Sequence, residues 1–321
     1  MDYKEFCAKY HVRLNDQQST AVQRVNGATL LLAVPGSGKT TVIVARTGYL
    51  LHVVGIDPRN ILTITFTKAA AREMKERFIK KFGEVNGLVP HFSTINSFCL
   101  SVIKTCAREK HITIPELVPN NEPIIRDIAR TMMRDYPSDS TIKSLAQSIG
   151  KVKNELMEND QIKQIEEEGI DFYQFYHKYK AHLTDNGLMD FDDQLLMANE
   201  LLDTYPDILA RAKKQYRYIS LDEAQDTSLV QHRIVQKLVG KDGNIFMVGD
   251  EDQSIYGFRA AYPQALVSFE DRHPGAGILL METNYRSRQE IVRAADTLIQ
   301  KNKNRHPKKM TAAREGGGCV T

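Results

Sequence analysis

Short apolar runs alternate with helical stretches along most of the chain. The runs are five or six residues long, which is the usual length of a buried strand. They occupy residues 30–34, 61–66, 90–95, 216–221, 244–248 and 277–282. Helical stretches follow most of these runs, so the pattern predicts an α/β fold with a doubly wound, mostly parallel sheet.

The strand pattern stops once, between residues 107 and 189, where the sequence is helical and charged. This region predicts a helical subdomain inserted into the sheet domain. One helix carries a stripe at helical spacing made of Phe172, Phe175, Tyr176, Tyr179 and Leu183. The stripe lies beside His177, Lys178 and Lys180 and could stack on nucleic-acid bases, but such a stripe is more often core, and we expect core.

Composition sets wide bounds on the kind of protein. A chain of 321 residues suits two or three domains, and 42% hydrophobic and 26% charged residues are ordinary for a globular protein. The net charge of +3 permits nucleic-acid binding without arguing for it. A basic segment at residues 301–309 (KNKNRHPKK) is interpreted as solvated surface, with a DNA phosphate backbone as the alternative neighbour.

Nothing in the sequence indicates a membrane or a secretory route. Apolar runs stay shorter than the ~18 residues needed to span a bilayer, and the polar N-terminus is unlike a signal peptide. Cys7, Cys99, Cys106 and Cys319 lack paired metal-binding spacing, which favours free thiols in a reducing compartment. We therefore expect a cytoplasmic protein.

Residues 33–40 (AVPGSGKT) follow the first apolar run and precede a helical stretch at residues 39–51. This strand, loop and helix order is the context of a phosphate-binding P-loop. Backbone N–H groups would face an anion, Lys39 would reach the terminal phosphates, and the Thr40 hydroxyl could ligate Mg²⁺. Ala33 replaces the first glycine of the usual pattern, so the alternative is a purely structural tight turn before a core helix.

An acidic pair, Asp222 and Glu223, ends the run at residues 216–221. Ligands bind at the carboxyl ends of strands in open α/β sheets, so the pair fits the metal and water partner of a P-loop. The alternative is helix capping, since acidic residues favour the first turn of a helix. Together, the two motifs predict nucleotide hydrolysis with ATP and Mg²⁺.

Eight motifs in order resemble those of superfamily 1 DNA helicases of the UvrD/Rep/PcrA type. They are LNDQQ (14–18), AVPGSGKT (33–40), TFTKAAAREM (65–74), STINSF (93–98), MDFDD (189–193), LDEAQD (221–226), GDEDQSIYGFR (249–259) and ETNYRS (282–287), with a fainter match at KVKNE (151–155). The resemblance implies a RecA-like P-loop NTPase domain at residues 1–106 and 190–280. It further implies the inserted helical subdomain at 107–189 and the start of a second RecA-like domain at 281–321.

The resemblance assigns roles at the ATP site. Glu223 would be the general base, Gln253 would sense the γ-phosphate, and Arg286 would stabilise the transition state. Asp222 and Thr40 would hold Mg²⁺. The nucleotide would be bound by Gln18, Pro35, Gly36, Ser37, Gly38, Lys39, Thr40, Thr41 and Tyr285, with Gln18 on the adenine edge and Tyr285 stacked on the base. Gln18 also lies three residues after Asn15 and could close a capping box, which is compatible with the adenine role.

The DNA contacts implied by the resemblance come from the loops after three strands. They are Thr65, Phe66, Thr94, Asn96, Phe258 and Arg259, with Phe66 and Phe258 stacking on successive bases. Phe258 stands where the family often has Trp, and Asn96 where it usually has His. Either Phe could instead be a core residue at a strand end.

The resemblance favours an ATP-driven translocase that separates strands on single-stranded DNA and duplex junctions, and it implies movement 3′ to 5′. The motor part of an ATP-dependent nuclease complex is the alternative. Neither a guanine-reading Asn-Lys-x-Asp segment nor an ABC signature occurs in the sequence, which argues against a GTPase or an ABC-type ATPase. Because only the start of a second domain follows Tyr285, we expect a fragment that hydrolyses ATP slowly and does not unwind duplex DNA.

Overall fold

The computed structural model describes residues 1–133, 136–241, 243–257, 260–303 and 305–317. The α-helices are α1 Tyr3–Lys9, α2 Asp16–Gln23, α3 Lys39–His52, α4 Lys68–Phe82, α5 Ile95–Lys110, α6 Glu122–Met133, α7 Asp139–Asn154, α8 Asn159–Ile162, α9 Phe172–Asp185, α10 Phe191–Thr204, α11 Pro206–Gln215, α12 Leu229–Val239, α13 Gln264–Val267, α14 Phe269–Arg272 and α15 Gln289–Ile299. Short 3₁₀-helices occupy Pro58–Asn60, Ala224–Asp226 and Glu251–Gln253.

The strands are β1 Thr29–Ala33, β2 Ile61–Thr65, β3 His91–Thr94, β4 Glu116–Leu117, β5 Leu188–Met189, β6 Tyr218–Leu221, β7 Asn244–Gly249, β8 Gly277–Met281, β9 Thr283–Arg288 and β10 Thr311–Arg314. Six of them form the main sheet in the order β3-β2-β6-β7-β1-β8, and every pairing in it is parallel. Each strand of this sheet lies on one of the six predicted runs. The α/β class with a mostly parallel sheet is confirmed.

Strand β1 shows why the apolar runs are continuous. Its side chains alternate between two cores: Leu30 and Leu32 pack on one face of the sheet, and Leu31 and Ala33 on the other. The first face is covered by α5, α10 and α12, and the second by α1 to α4. Since helices cover both faces, both sets of alternate residues are mainly apolar.

The region between residues 107 and 189 has a core of its own, formed by α6, α7, α8 and α9. The stripe on α9 is buried in it, so the expectation of core is confirmed for all five residues. The expectation that strands stop here needs one correction. The two-residue strands β4 and β5 pair with each other in parallel, outside the main sheet.

A buried polar cluster joins this region to α10. The Lys153 ammonium on α7 lies 2.6 Å from Asp190 Oδ2 and 2.7 Å from Asp193 Oδ1. Asp190 Oδ2 also accepts a hydrogen bond from the Tyr179 hydroxyl at 2.8 Å, and Asn154 Nδ2 donates to Asp192 Oδ1 at 2.9 Å. One buried cation thus holds the start of α10 to two helices of the insert.

Strand β9 pairs in parallel with β10, and α15 lies between them in the chain. The basic segment that precedes β10 is not simply solvated surface. Arg305 and Lys308 are drawn into ion pairs with the loop after β7, and the Lys308 side chain is only 2% exposed. The interpretation as solvated surface is wrong for these two residues, because buried carboxylates compete with water for them.

Cys7, Cys99 and Cys106 are free, whereas Cys319 lies outside the described residues. Burial raises the pKa of Cys99 to about 12. Among the helices in the described parts of the chain, none combines the length and apolarity needed to cross a lipid bilayer.

Replacing Lys153 by Met should destabilise the chain strongly, since it leaves Asp190 and Asp193 buried without their cation. Removing one partner of a buried ion pair costs about 3–5 kcal/mol. Urea unfolding measures the change. The control is Lys151→Met, which removes an exposed lysine from the same helix and should change the free energy of unfolding by about 0.5 kcal/mol or less. Equal effects of the two substitutions would show that the cluster does not join the insert to the core.

Candidate nucleotide and DNA site

Five loops that carry the sequence motifs meet at one edge of the sheet. They follow β1, β2, β3, β6 and β7, and these strands all run in the same direction. The carboxyl ends of parallel strands lie at a common edge, which is where ligands bind in this class of fold. The topology therefore brings most of the predicted site residues together.

The P-loop turns tightly between β1 and α3. Ser37 N and Ser37 Oγ both donate to the carbonyl oxygen of Val34, at 3.2 and 2.6 Å. Gly38 is the N-cap of α3 and supplies no side chain to cap it. The free N–H groups at the start of α3 therefore remain available to an anion.

Two glycines of this loop are required by both conformation and space. Gly36 has φ +69°, and a Cβ there would lie 2.7 Å from Arg286 Cβ. Gly38 has φ +90°, and a Cβ there would lie 3.0 Å from Gln18 Nε2. Left-handed backbone and close neighbours both exclude larger residues. The loop is consequently packed between α2 and β9.

The predicted phosphate-binding lysine and the predicted general base face each other. Lys39 Nζ lies 3.0 Å from Glu223 Oε2, in a partly buried ion pair. Glu223 has φ +48°, in the left-handed region that a non-glycine residue seldom adopts. Such strain tends to be kept where it aims a functional side chain. Here it places the Glu223 carboxylate against the P-loop lysine.

Asp222 is the more buried member of the acidic pair. Burial, and then the negative charge of Glu223, raise the pKa of Asp222 to about 7, against the opposing effect of Lys39. Its Oδ2 accepts a hydrogen bond from Thr65 Oγ1 at 3.3 Å. Its Oδ1 is buried and has no hydrogen-bond partner among the described residues. An unpaired buried carboxylate oxygen next to a P-loop fits a cation ligand, because a divalent cation would favour the ionised form.

Gln225 joins Glu223 to the loop after β7. Its Nε2 donates to Glu223 Oε2 at 2.7 Å, and its Oε1 accepts from Asp250 N at 3.1 Å. Gln225 is 2% exposed, so its bond to Asp250 is shielded from water, while its bond to the partly exposed Glu223 is half-buried. Gly249 leaves room for this contact, since a Cβ there would lie 2.8 Å from Gln225 Oε1.

Gln253 lies at the end of this connection. Its Nε2 donates to Asp250 Oδ2 at 2.6 Å. It lines a cavity of about 200 Å³ together with Pro35 of the P-loop. The structure thus places Gln253 beside Pro35 at the start of the P-loop.

The predicted adenine residues lie on the other side of the P-loop. Gln18 forms the capping box with Asn15, as one of the two interpretations predicted, and its Nε2 donates to Ser37 O at 2.8 Å. Tyr285 is 42% exposed, and its hydroxyl accepts from Asn15 Nδ2 at 2.6 Å. Thr41 is exposed at the first turn of α3. Gln18 and Tyr285 therefore share Asn15 as a neighbour.

The main chain of residues 285–286 lies against the P-loop. Tyr285 N donates to Gly36 O at 3.0 Å, and Arg286 N donates to Asn284 Oδ1 at 2.8 Å. The Arg286 side chain is exposed. Gln17 adds a second tie between α2 and this region, since Glu282 N donates to Gln17 Oε1 at 3.0 Å.

On the predicted DNA side, Phe66 stacks on Tyr256 with ring centroids 5.9 Å apart and an interplanar angle of 25°. Phe66 and Asn96 line one cavity of about 530 Å³ between the sheet domain and α7. Asp192 and Asp226 line the same cavity, and burial raises the pKa of each to about 6. Both rings of the aromatic pair are half-buried, and Phe66 faces this cavity.

The remaining predicted DNA residues differ in accessibility. Thr94 is buried and caps α5, accepting from Ser97 N at 3.2 Å. Thr65 is buried against Asp222, so it connects the loop of Phe66 to the candidate metal ligand. Phe258 and Arg259 lie outside the described residues.

Three residues at this edge had no predicted role. Gln225 and Tyr256 both stand inside quoted motifs, and their position there was a usable signal. Lys308 lay in the basic segment interpreted as surface, and nothing local in the sequence distinguishes it from Lys309. Only the fold shows which lysine is buried.

Comparison with known proteins agrees with this geometry. Residues 14–274 match a model of the UvrD/REP helicase N-terminal domain. A protein named ATP-dependent DNA helicase PcrA from Staphylococcus epidermidis is 35% identical over 316 residues, covering 96% of this chain and 42% of the relative. A protein of the same name from Staphylococcus aureus is 34% identical over 313 residues, covering 95% and 42%. The chain therefore spans about two fifths of the length of these curated relatives.

Proposed function

The chain belongs to the UvrD/REP helicase family, and we propose that it supplies the ATP-binding part of a cytoplasmic DNA helicase that moves 3′ to 5′ on single-stranded DNA. The observation that carries this proposal is the Lys39–Glu223 pair at the edge where the stacked Phe66 and Tyr256 also lie. The same edge thus offers groups for phosphate chemistry and a surface for bases. Slow hydrolysis and lack of unwinding by the chain alone remain predictions.

We propose that Lys39 binds the β- and γ-phosphates of ATP. The first-turn N–H groups of α3 and the positive end of its dipole favour the same anion. In the ion pair, Lys39 is already directed toward the place where Glu223 must act. Phosphate binding would exchange a carboxylate partner of Lys39 for phosphate oxygens and free Glu223.

Mg²⁺ fits the unpaired Asp222 Oδ1 and the hydroxyl of Thr40. Mg²⁺ usually takes one or two carboxylates, with phosphate and water completing its shell. When bound, it neutralises charge on the phosphates. The protein's part is to hold Asp222 still, which the hydrogen bond from Thr65 does.

Glu223 would orient the attacking water and accept its proton. The left-handed backbone and the Gln225 amide both fix this carboxylate. Gln253 would contact the γ-phosphate, and Arg286 would stabilise charge on it in the transition state. The exposed side chain of Arg286 is free to turn toward bound nucleotide.

The adenine base would lie between Gln18 and Tyr285. Gln18 Nε2 has a second hydrogen that the bond to Ser37 leaves unused. The exposed face of Tyr285 suits stacking. Thr41 would be near the ribose and phosphates.

Single-stranded DNA would pass over the cavity lined by Phe66 and Asn96. Stacking on aromatic rings holds bases without regard to sequence, and a motor that moves along DNA needs such contacts. Tyr256 would support the Phe66 ring from behind or take the next base. The family resemblance assigns Phe258 and Arg259 to DNA binding as well, and both lie outside the described residues.

Lys39→Ala and Glu223→Gln should have different defects. Lys39→Ala should abolish nucleotide binding or turnover, since it removes the phosphate ligand. Glu223→Gln should keep binding and stop hydrolysis, because only water activation is lost. Isothermal titration with Mg²⁺ and ATP, with single-turnover hydrolysis beside it, separates the two effects. Equal binding defects in both variants would contradict this division of roles.

Phe66→Ala should weaken binding of single-stranded DNA by about 1–3 kcal/mol for the base it stacks on, equally for thymine-rich and mixed oligonucleotides. The loss of affinity should be larger in the double variant that also carries Phe258→Ala. The remaining affinity should still fall steeply with salt, since phosphate contacts persist. Fluorescence anisotropy with short labelled strands measures it.

The matched control is Phe66→Tyr, which keeps an aromatic face and should retain most of the affinity. Unchanged DNA binding by Phe66→Ala, accompanied by a large loss of folding stability, would mean that Phe66 is a core residue.

A further inference from the structure

Three consecutive carboxylates after β7 are buried around one ammonium group. Lys308 Nζ lies 2.9 Å from Asp250 Oδ1, 2.7 Å from Glu251 Oε1 and 2.9 Å from Asp252 Oδ2. Arg305 pairs with Asp252 Oδ2 at 2.8 Å. We call Asp250, Glu251 and Asp252 the carboxylate cluster.

Burial makes Lys308 indispensable to this cluster. The side chains of Lys308, Asp250 and Glu251 are each 2% exposed or less. Burial alone lowers the pKa of an ammonium group, but the attraction of Asp250 and contacts with all three carboxylates raise the pKa of Lys308 above its usual value. Lys308 is therefore held charged, and its position is fixed from three directions.

Asp250 is the junction between this cluster and the candidate ATP site. Its Oδ1 pairs with Lys308, and its Oδ2 accepts from Gln253 Nε2 at 2.6 Å. Its N–H donates to Gln225 Oε1, and Gln225 in turn donates to Glu223. Lys308 and Gln253 therefore contact the same carboxylate, that of Asp250, and loss of the lysine would leave the partner of Gln253 without its cation.

The segment that carries Lys308 also reaches the strand that carries Arg286. Lys309 N donates to Glu282 Oε1 at 2.8 Å, and Thr311 N donates to Glu282 O at 2.8 Å. Thr311 then pairs with Thr283 at the start of β9. Residues 305–311 therefore connect the loop of Gln253 to β9.

We propose that Lys308 is a positioning residue for recognition of the γ-phosphate. By holding Asp250, Lys308 orients the Gln253 amide, and it ties that amide to the strand of Arg286. The inference rests on the proposed ATP-binding function, which it deepens.

The test is nucleotide discrimination by the intact chain, measured by isothermal titration with ADP and with a non-hydrolysable ATP analogue in Mg²⁺. Lys308→Met should leave ADP affinity within about twofold of the parent and reduce the preference for the analogue by about tenfold or more, the effect of losing one hydrogen bond to a charged group. Gln253→Ala should give the same loss. The double variant should be no worse than either single one, because both act on the same contact. Lys308→Arg should restore part of the preference.

Lys309→Met is the matched control. It removes the neighbouring lysine, whose side chain is exposed and whose contact with Glu282 uses the backbone N–H. Its preference for the analogue should equal that of the parent.

An unchanged preference in Lys308→Met, or a loss that adds to that of Gln253→Ala, would overturn the inference. A loss of ADP affinity equal to the loss of analogue affinity would also overturn it, since that is the signature of general unfolding. If Lys308→Met does not fold, Lys308→Met with Glu251→Gln lowers the buried negative charge by one and is judged by the same outcomes. A parent chain that binds neither nucleotide would instead refute the proposed function, and the inference with it.

Discussion

The ion pair between Lys39 and Glu223 is the contact on which the candidate site depends. It joins the loop after β1 to the loop after β6, two strands separated in the sheet by β7. The ion pair forms only where these two loops meet, so its geometry depends on both of them. Gly36 and Gly38 allow the tight turn of the P-loop that leads to Lys39, and the left-handed backbone of Glu223 directs its carboxylate toward that lysine.

Buried polar contacts extend this pair across the sheet. Gln225 contacts both Glu223 and Asp250, and the Asp250 carboxylate contacts both Gln253 and Lys308. Buried polar groups are costly unless partnered, so a movement that breaks one link leaves the next group unsatisfied. The loops after β1, β6 and β7 are therefore coupled through these contacts, and nucleotide binding at one loop should shift the positions of the other two.

Sequence predicted the parts that depend on local pattern. The six strands of the main sheet follow from apolar runs of the right length, and the capping box of Asn15 and Gln18 follows from their spacing. The buried stripe on α9 follows from helical periodicity. The proposed roles of the site residues and the domain boundaries remain predictions, since they need a bound ligand or a longer chain to test them.

What the sequence did not predict depends on contacts between distant residues. Phe66 and Tyr256 stack although 190 residues separate them, and Lys308 is buried by carboxylates more than 50 residues away. No local property distinguishes Lys308 from Lys309. The two-residue pairing of β4 with β5 was missed because strands this short have no periodicity to detect.

A crystal structure of the chain with Mg²⁺ and a non-hydrolysable ATP analogue tests the central claim most directly. The account predicts that Lys39 Nζ leaves Glu223, from which it now lies 3.0 Å away, and binds the terminal phosphates. It also predicts the metal against Asp222 Oδ1. An analogue bound elsewhere, or an intact Lys39–Glu223 pair beside bound phosphates, would contradict it.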